Sequence, residues 1–164
     1  MRNGFIFLDV KDNPFYKMIS KVTFGPSHCG IVYENVVIHA ISPVVINSTI
    51  EDFIGISNGK YSLYTTGDEN LDIESFFSAQ KYLNVPYDFS FDFMKENTTY
   101  CSKLLCNALN DLNFPVPNSI KILELMNIYN KNNFIIHSKF YEDNNPFVVS
   151  PRMIQDSLTF LESN

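Results

Sequence analysis

Where the strand-length apolar runs fall limits what this chain can fold into. The runs 4–10, 28–33, 36–40, 44–46 and 60–66 all lie ahead of Asp68. They are broken by Gly, Pro, Asn and Ser, the residues that end strands and make turns. Helical spacing dominates only afterwards. A sheet assembled from near neighbours, with helices following it in sequence, is antiparallel and must be covered by those helices. The expected fold class is therefore α+β with a central antiparallel sheet. Glu34-Asn35 fits a two-residue turn joining 28–33 to 36–40 as a hairpin. Pro14 suits the first turn of a short helix over 15–22, and 47–49 offers caps for another over 50–54.

Beyond Asp68 the apolar positions Leu71, Ile73, Phe76, Phe77, Ala79, Tyr82 and Leu83 predict a helix running to about residue 83. A Phe-rich loop, 84–97, follows. Thr98 or Thr99 is the expected cap of the next helix, along which Cys101, Leu105, Ala108 and Leu112 share one face, with Leu104 beside them. A short helix is expected over 120–129, a strand over 134–136, and a closing helix from Pro151 to about residue 161. There is no repeat, low-complexity tract or linker. The 164 residues read as one domain, 1–164, large enough to bury a core.

Charge and cysteine usage exclude several functions. A formal net charge of −6, with 12 Lys and Arg residues, opposes nucleic-acid binding, which needs a clustered basic face, and suits an anionic membrane surface poorly. Cys29, Cys101 and Cys106 are odd in number and unpatterned, so they do not form a disulfide framework. The C-x4-C spacing of the last two lacks the second pair of a zinc knuckle. No cofactor or metal is expected. The N-terminal apolar run is short for a signal peptide, and no stretch approaches a membrane span. The reading is a protein of a reducing, cytoplasmic compartment with no integral membrane segment.

The residues that bear chemistry are few. A cysteine enzyme needs a thiolate, a base to form it, a group that orients the base, and donors for the oxyanion. Cys101 falls at the start of a predicted helix, where unpaired N–H groups and the helix dipole favour a thiolate. His28 opens a strand just after Gly25-Pro26-Ser27. If Glu34-Asn35 is the hairpin turn, residue 30 falls opposite His39, so the two imidazoles share a face and His39 can orient His28. Tyr87, after Pro86, carries a hydroxyl able to reach an oxyanion. Each has an ordinary alternative: a free cysteine is commonly a small core residue, a histidine a structural one, a tyrosine a half-buried aromatic. Cys29 and Cys106 fit the core role better, His137 has no comparable setting, and Asp88 and Asp92 read as turn residues.

Four segments together resemble a known family. They are Ser27-His28-Cys29-Gly30-Ile31-Val32, Val37-Ile38-His39-Ala40, Val85-Pro86-Tyr87-Asp88 and Tyr100-Cys101-Ser102-Lys103-Leu104-Leu105. In order and spacing they are similar to the circularly permuted papain-like enzymes of the NlpC-type superfamily, nearest the YiiX-type branch and more distantly the lecithin:retinol acyltransferases. In permuted members the histidine strand precedes the cysteine helix, as here. Two positions depart from the pattern. Phe5 stands where the opening strand usually carries an acidic residue, and Lys103 where many relatives have Glu or Gly.

The resemblance implies a permuted papain-like fold with the nucleophile helix packed on the sheet. It implies Cys101 as nucleophile, His28 as base, His39 in the orienting position and Tyr87 on the oxyanion side. The expected activity is amide hydrolysis by a peptidase or amidase through a thioester. Lipid-type acyl transfer or acyl hydrolysis at the same site is the alternative, and a catalytically silent binding module a third. The expected partner is a peptide, amide or lipid-acyl substrate.

Overall fold

In the computed structural model, residues 2–23, 25–129 and 146–164 are described. The strand expected over 134–136 and His137 lie outside them. Six antiparallel strands form the main sheet: β1 (Gly4–Leu8), β2 (His28–Tyr33), β3 (Val36–Ile41), β4 (Val44–Thr49), β5 (Ser62–Thr65) and β8 (Thr159–Ser163). Their spatial order is β4-β3-β2-β1-β5-β8. β2 and β3 are joined by the expected hairpin, with Glu34 in the left-handed region at φ 53° and the register Tyr33↔Val36, Val32↔Val37, Ile31↔Ile38. A two-stranded ribbon pairs β6 (Ile120–Lys121) with β7 (Phe147–Val148).

Alternation along the strands sorts the side chains into two layers. Phe5, Phe7, Cys29, Ile31, Ile38, Ala40 and Val45 face the larger core, shared with Leu104, Leu105 and Leu109 of α4 (Cys101–Asn110) and Phe76 of α3 (Glu69–Ala79). Ile6, Leu8, Val32, Val37 and Leu63 face the other way, against Ile50 and Phe53 of α2 (Ile50–Gly55). Each fully buried leucine or phenylalanine contributes about 1.5–3 kcal/mol. α4 is surrounded: even Ser102 and Lys103 are buried. Lys103 Nζ donates to the carbonyls of Asp92 and Lys95 and so clips the Phe-rich loop to the helix. The remaining helices are α1 (Pro14–Thr23), α5 (Ile122–Tyr129) and α6 (Pro151–Asp156).

Three boundaries differ from expectation. α3 stops at Ala79 and continues only as a 3-10 turn over Gln80–Tyr82. The closing helix ends at Asp156, and the chain then turns to lay β8 on the free edge of β5. The residue ahead of α4 in the cap position is Tyr100, with no side-chain cap, whereas Thr99 Oγ1 donates to the Tyr100 carbonyl. No helix among the described residues is long and apolar enough to cross a membrane.

Candidate active site

Cys101 is the first residue of α4, and because Tyr100 offers no capping oxygen the helix end is left open toward it. Its side chain is 2% exposed. Its thiol is held well below the usual thiol range. The first cause is a hydrogen bond from the Cys29 thiol; a hydrogen bond and the charge of His28 and the Cys29 backbone N–H add to it, against burial, which acts the other way. The other two cysteines are pushed up: Cys29 chiefly by burial, Cys106 by burial to about 12. Only Cys101 is set up as a thiolate.

His28 is completely buried at the start of β2. Its Nε2 lies 2.9 Å from His39 Nδ1, and His39 Nε2 lies 2.7 Å from Ser48 Oγ. The two rings meet edge to face at 5.1 Å between centroids, as the hairpin parity predicts. Phe53 stacks on His28 at 5.4 Å and abuts His39 at 4.8 Å. His28 Nδ1 has no conventional hydrogen-bond partner. With Nε2 engaged, Nδ1 is the nitrogen left to take a proton from Cys101. Burial first, and the charge of His28 second, lower His39 to about 3. His39 is therefore neutral, and a consistent tautomer set has each Nε2–H donating outward, His28 to His39 and His39 to Ser48.

Tyr87 enters from the loop. Its N–H bonds the Pro43 carbonyl at 2.9 Å, while Thr99 N donates to the Pro86 carbonyl at 3.0 Å and Asp88 N to the Thr99 carbonyl at 2.7 Å. These bonds strap the loop to the residue just before Tyr100 and bring Tyr87 beside Cys101. Its hydroxyl is buried and unpartnered. Burial above all, then the charge of Cys101, raise the phenol far above its usual range, so it remains an O–H donor. The turn reading of Asp88 holds: its carboxylate accepts from Ser90 N, Asp92 N and Lys95 Nζ.

The structure thus brings together Cys101, His28, His39 and Tyr87. It adds residues that the sequence did not single out. Ser48 ends the imidazole line. Tyr100 and Ser102 clasp the backbone of Val149, its N–H bonding Tyr100 Oη at 3.0 Å and its carbonyl accepting from Ser102 Oγ at 2.6 Å. Tyr16 of α1 roofs His28, ring to ring at 5.6 Å. Further along the same buried face of α1 a cavity of about 40 Å³ with an almost wholly apolar surface reaches Cys101, lined by Ile19, Val22, Phe91, Ile122, Leu125 and Val148 among others. Among the described residues, no three or more His, Cys, Asp or Glu side chains are placed to hold a metal ion.

Comparison with known proteins bears on the fold and the family. A solved structure, the metalloprotein YiiX from Escherichia coli O157:H7, superposes with a TM-score of 0.78 at 24% identity, covering 99% of this chain and 97% of its own, so the two share a fold. The metal of that protein's description has no matching donor cluster among the described residues here. No curated protein matches the sequence. The profile of the permuted papain-like amidase enzymes of the YaeF/YiiX type, the C92 family, matches residues 6–159. With a matched region that takes in the hairpin histidines and the helix-start cysteine, the chain belongs to this family of permuted papain-like amidases.

Proposed function

We propose that this protein hydrolyses an amide bond through a thioester on Cys101, with His28 as general base and then acid. The observation that carries the reading is a buried cysteine at an uncapped helix start together with an imidazole whose Nε2 is tied to His39; the lowering of the thiol by Cys29 and His28 is in keeping with it. His28 Nδ1 takes the Cys101 proton, and the thiolate adds to the carbonyl carbon. The Cys101 N–H at the helix mouth and the Tyr87 hydroxyl are the donors available for the oxyanion. His28 returns the proton to the leaving nitrogen as the C–N bond breaks, and water, deprotonated by His28, releases the acid. His39 stays neutral throughout and holds the His28 ring by accepting from Nε2–H.

The test is selective alkylation followed by turnover. Iodoacetamide at mildly acidic pH labels Cys101 ahead of Cys29 and Cys106, located by peptide mass spectrometry. Cys101→Ala abolishes hydrolysis of amide substrates, and His28→Ala moves labelling to alkaline pH. Tyr87→Phe keeps the fold and lowers kcat by about 10²–10³, the effect of losing one oxyanion donor. Equal, slow labelling of all three cysteines would favour a silent binding module.

A second reading, transfer or hydrolysis of a lipid-type acyl group, is favoured by one observation: the surface that the cavity beside Cys101 presents is almost wholly apolar, although Thr23, Ser102 and Ser150 are among the residues around it. A carbonyl bearing an aliphatic group fits such a lining, and a charged one does not.

A further inference from the structure

Helix α1 stands between two hollows of opposite chemistry. Met18, Ile19 and Val22 line the small apolar cavity that reaches Cys101. Lys17, Ser20 and Lys21, on another flank by helical spacing, line a groove of about 850 Å³. Lys11 and Lys60 line it too, so four of the chain's 12 Lys and Arg residues gather here in a protein of net charge −6. All four are exposed, and among the described residues none of them forms an ion pair. Asp9 supplies the one carboxylate side chain of the lining, and its Oδ1 already accepts from Ser20 Oγ at 2.6 Å and Ser27 N at 3.0 Å. The rim is braced by the backbone: Lys11 N donates to the Ile56 carbonyl at 2.9 Å, and Ser57 Oγ to the Lys60 carbonyl at 2.7 Å. Unpaired like charges held on one concave wall favour an anion between them.

The groove adjoins the base as the cavity adjoins the sulfur. Ser27 and Leu8 both line it; Ser27 precedes His28, and Leu8 pairs with His28 across β1 and β2. Tyr16 lines it as well and packs on the His28 ring at 5.6 Å. Thioester chemistry sends the two halves of an amide to these two sides. When the C–N bond breaks, the acyl half stays on the Cys101 sulfur, and the nitrogen leaves with a proton from His28. What the carbonyl carbon bears belongs at the cavity, and what the nitrogen bears belongs at the groove. We propose that the substrate is an N-acyl amine with an aliphatic acyl half and an anionic amine half, whose carboxylate or phosphate is held in the groove by Lys11, Lys17, Lys21 and Lys60. The assignment of the halves rests on the thioester reading; the anion site rests on the groove.

The experiment is an NMR titration of the full chain carrying Cys101→Ala, which binds without turnover, with three ligands: N-butyrylglycine, its neutral counterpart N-butyrylglycinamide, and N-butyryl-O-phosphoethanolamine. The anionic ligands bind more tightly than the neutral one, and the difference shrinks as salt screens exposed charges. Adding Lys17→Gln, Lys21→Gln or Lys60→Gln weakens the anionic ligands by up to about fivefold for each lysine removed and leaves the glycinamide unchanged. Exposed lysines tolerate this change with little effect on stability, so the variants fold. The tighter of the two anionic ligands names the anion, an amino-acid carboxylate or a phosphate. Equal affinity for charged and neutral ligands overturns the proposal, as does a preference for the anions that survives loss of the lysines. The same three compounds are then given to the unmodified protein, and the freed amine is measured with fluorescamine. Binding that discriminates by charge with no amine released is a failure of the hydrolytic reading, a different result from binding that ignores charge.

Discussion

His28, His39 and Ser48 form a line of hydrogen bonds whose inner member has no room for charge. His39 is 3% exposed and lowered to about 3, burial being the main cause and His28 the second. In the unfolded chain the same imidazole titrates near its usual 6.5. Its neutral form is therefore favoured by folding, a contribution fully present above about pH 6.5 and lost as pH falls toward 3, because the unfolded chain then binds a proton that the fold refuses. Stability should drop below pH 6.5 with a slope of up to about 1.4 kcal/mol per pH unit from this group alone. His39→Gln removes the slope, keeps a side chain able to accept from His28, and lowers turnover. Urea unfolding at several values between pH 4 and 7 measures it, and parallel profiles for the two proteins would show that His39 is not the group responsible. At this scale the histidine pair was legible because hairpin parity is arithmetic. Ser48 was not, since its place depends on how β4 registers on β3, where Val37 pairs Ser48. Thr98 and Thr99 misled for a chemical reason: a good capping residue was present, but the structure leaves the cap unfilled where the nucleophile stands.

The element that does most for the site is the β2–β3 hairpin, and Gly30 is the residue that lets its strands close. A Cβ there would sit 2.6 Å from Val37 Cγ1, 3.1 Å from the Ile38 carbonyl oxygen and 3.2 Å from His39 Cβ. The first contact involves a packed side chain and the second the backbone, so neither yields cheaply. Gly30→Ala should destabilise the fold by about 1–3 kcal/mol, the usual cost of overpacking, and push His39 off the His28 ring. Thermal melting reads the first effect. The second appears as a slower, alkaline-shifted labelling of Cys101; a variant that melts early yet labels normally would separate the glycine from the site. Elements built from local pairing, such as this hairpin and α2 with its Thr49 cap, follow from neighbouring residues. β8 does not. Thr159-Phe160-Leu161 continues a helical pattern from Pro151 as readily as it makes a strand, because a short apolar run has no decisive period. Only the open edge of β5, nearly a hundred residues earlier in the chain, selects the strand.

Taken as a whole, the molecule is a set of distant segments closed around one sulfur. The strand histidines come early, the helix cysteine late, and the Tyr87 loop between them is strapped to the start of α4. The centre is also shut: Cys101 is 2% exposed and His28 not at all. α1 forms much of the cover. Tyr16 sits on His28, and Phe15 packs on Phe89 and Phe91 of the loop, the latter stacked at 5.6 Å. A carbonyl carbon reaches the sulfur only through this cover. What it meets on the inner side of α1 is apolar, for Ile19, Val22, Leu125 and Val148 line the cavity beside Cys101. The chain length of the acyl group is then a measurable property of the closed fold. For p-nitrophenyl esters from acetyl to butyryl, acylation of Cys101, followed as the p-nitrophenol burst, should rise about fourfold per methylene, the value of a buried CH₂ at about 0.8 kcal/mol. The rise should end where about 40 Å³ is filled. Leu125→Phe takes up that space from the α5 side, so the butyryl advantage should disappear while the acetyl rate stays as it was. A rate indifferent to chain length in both proteins would mean that the acyl group lies elsewhere, and that the cavity is only a packing defect of the core.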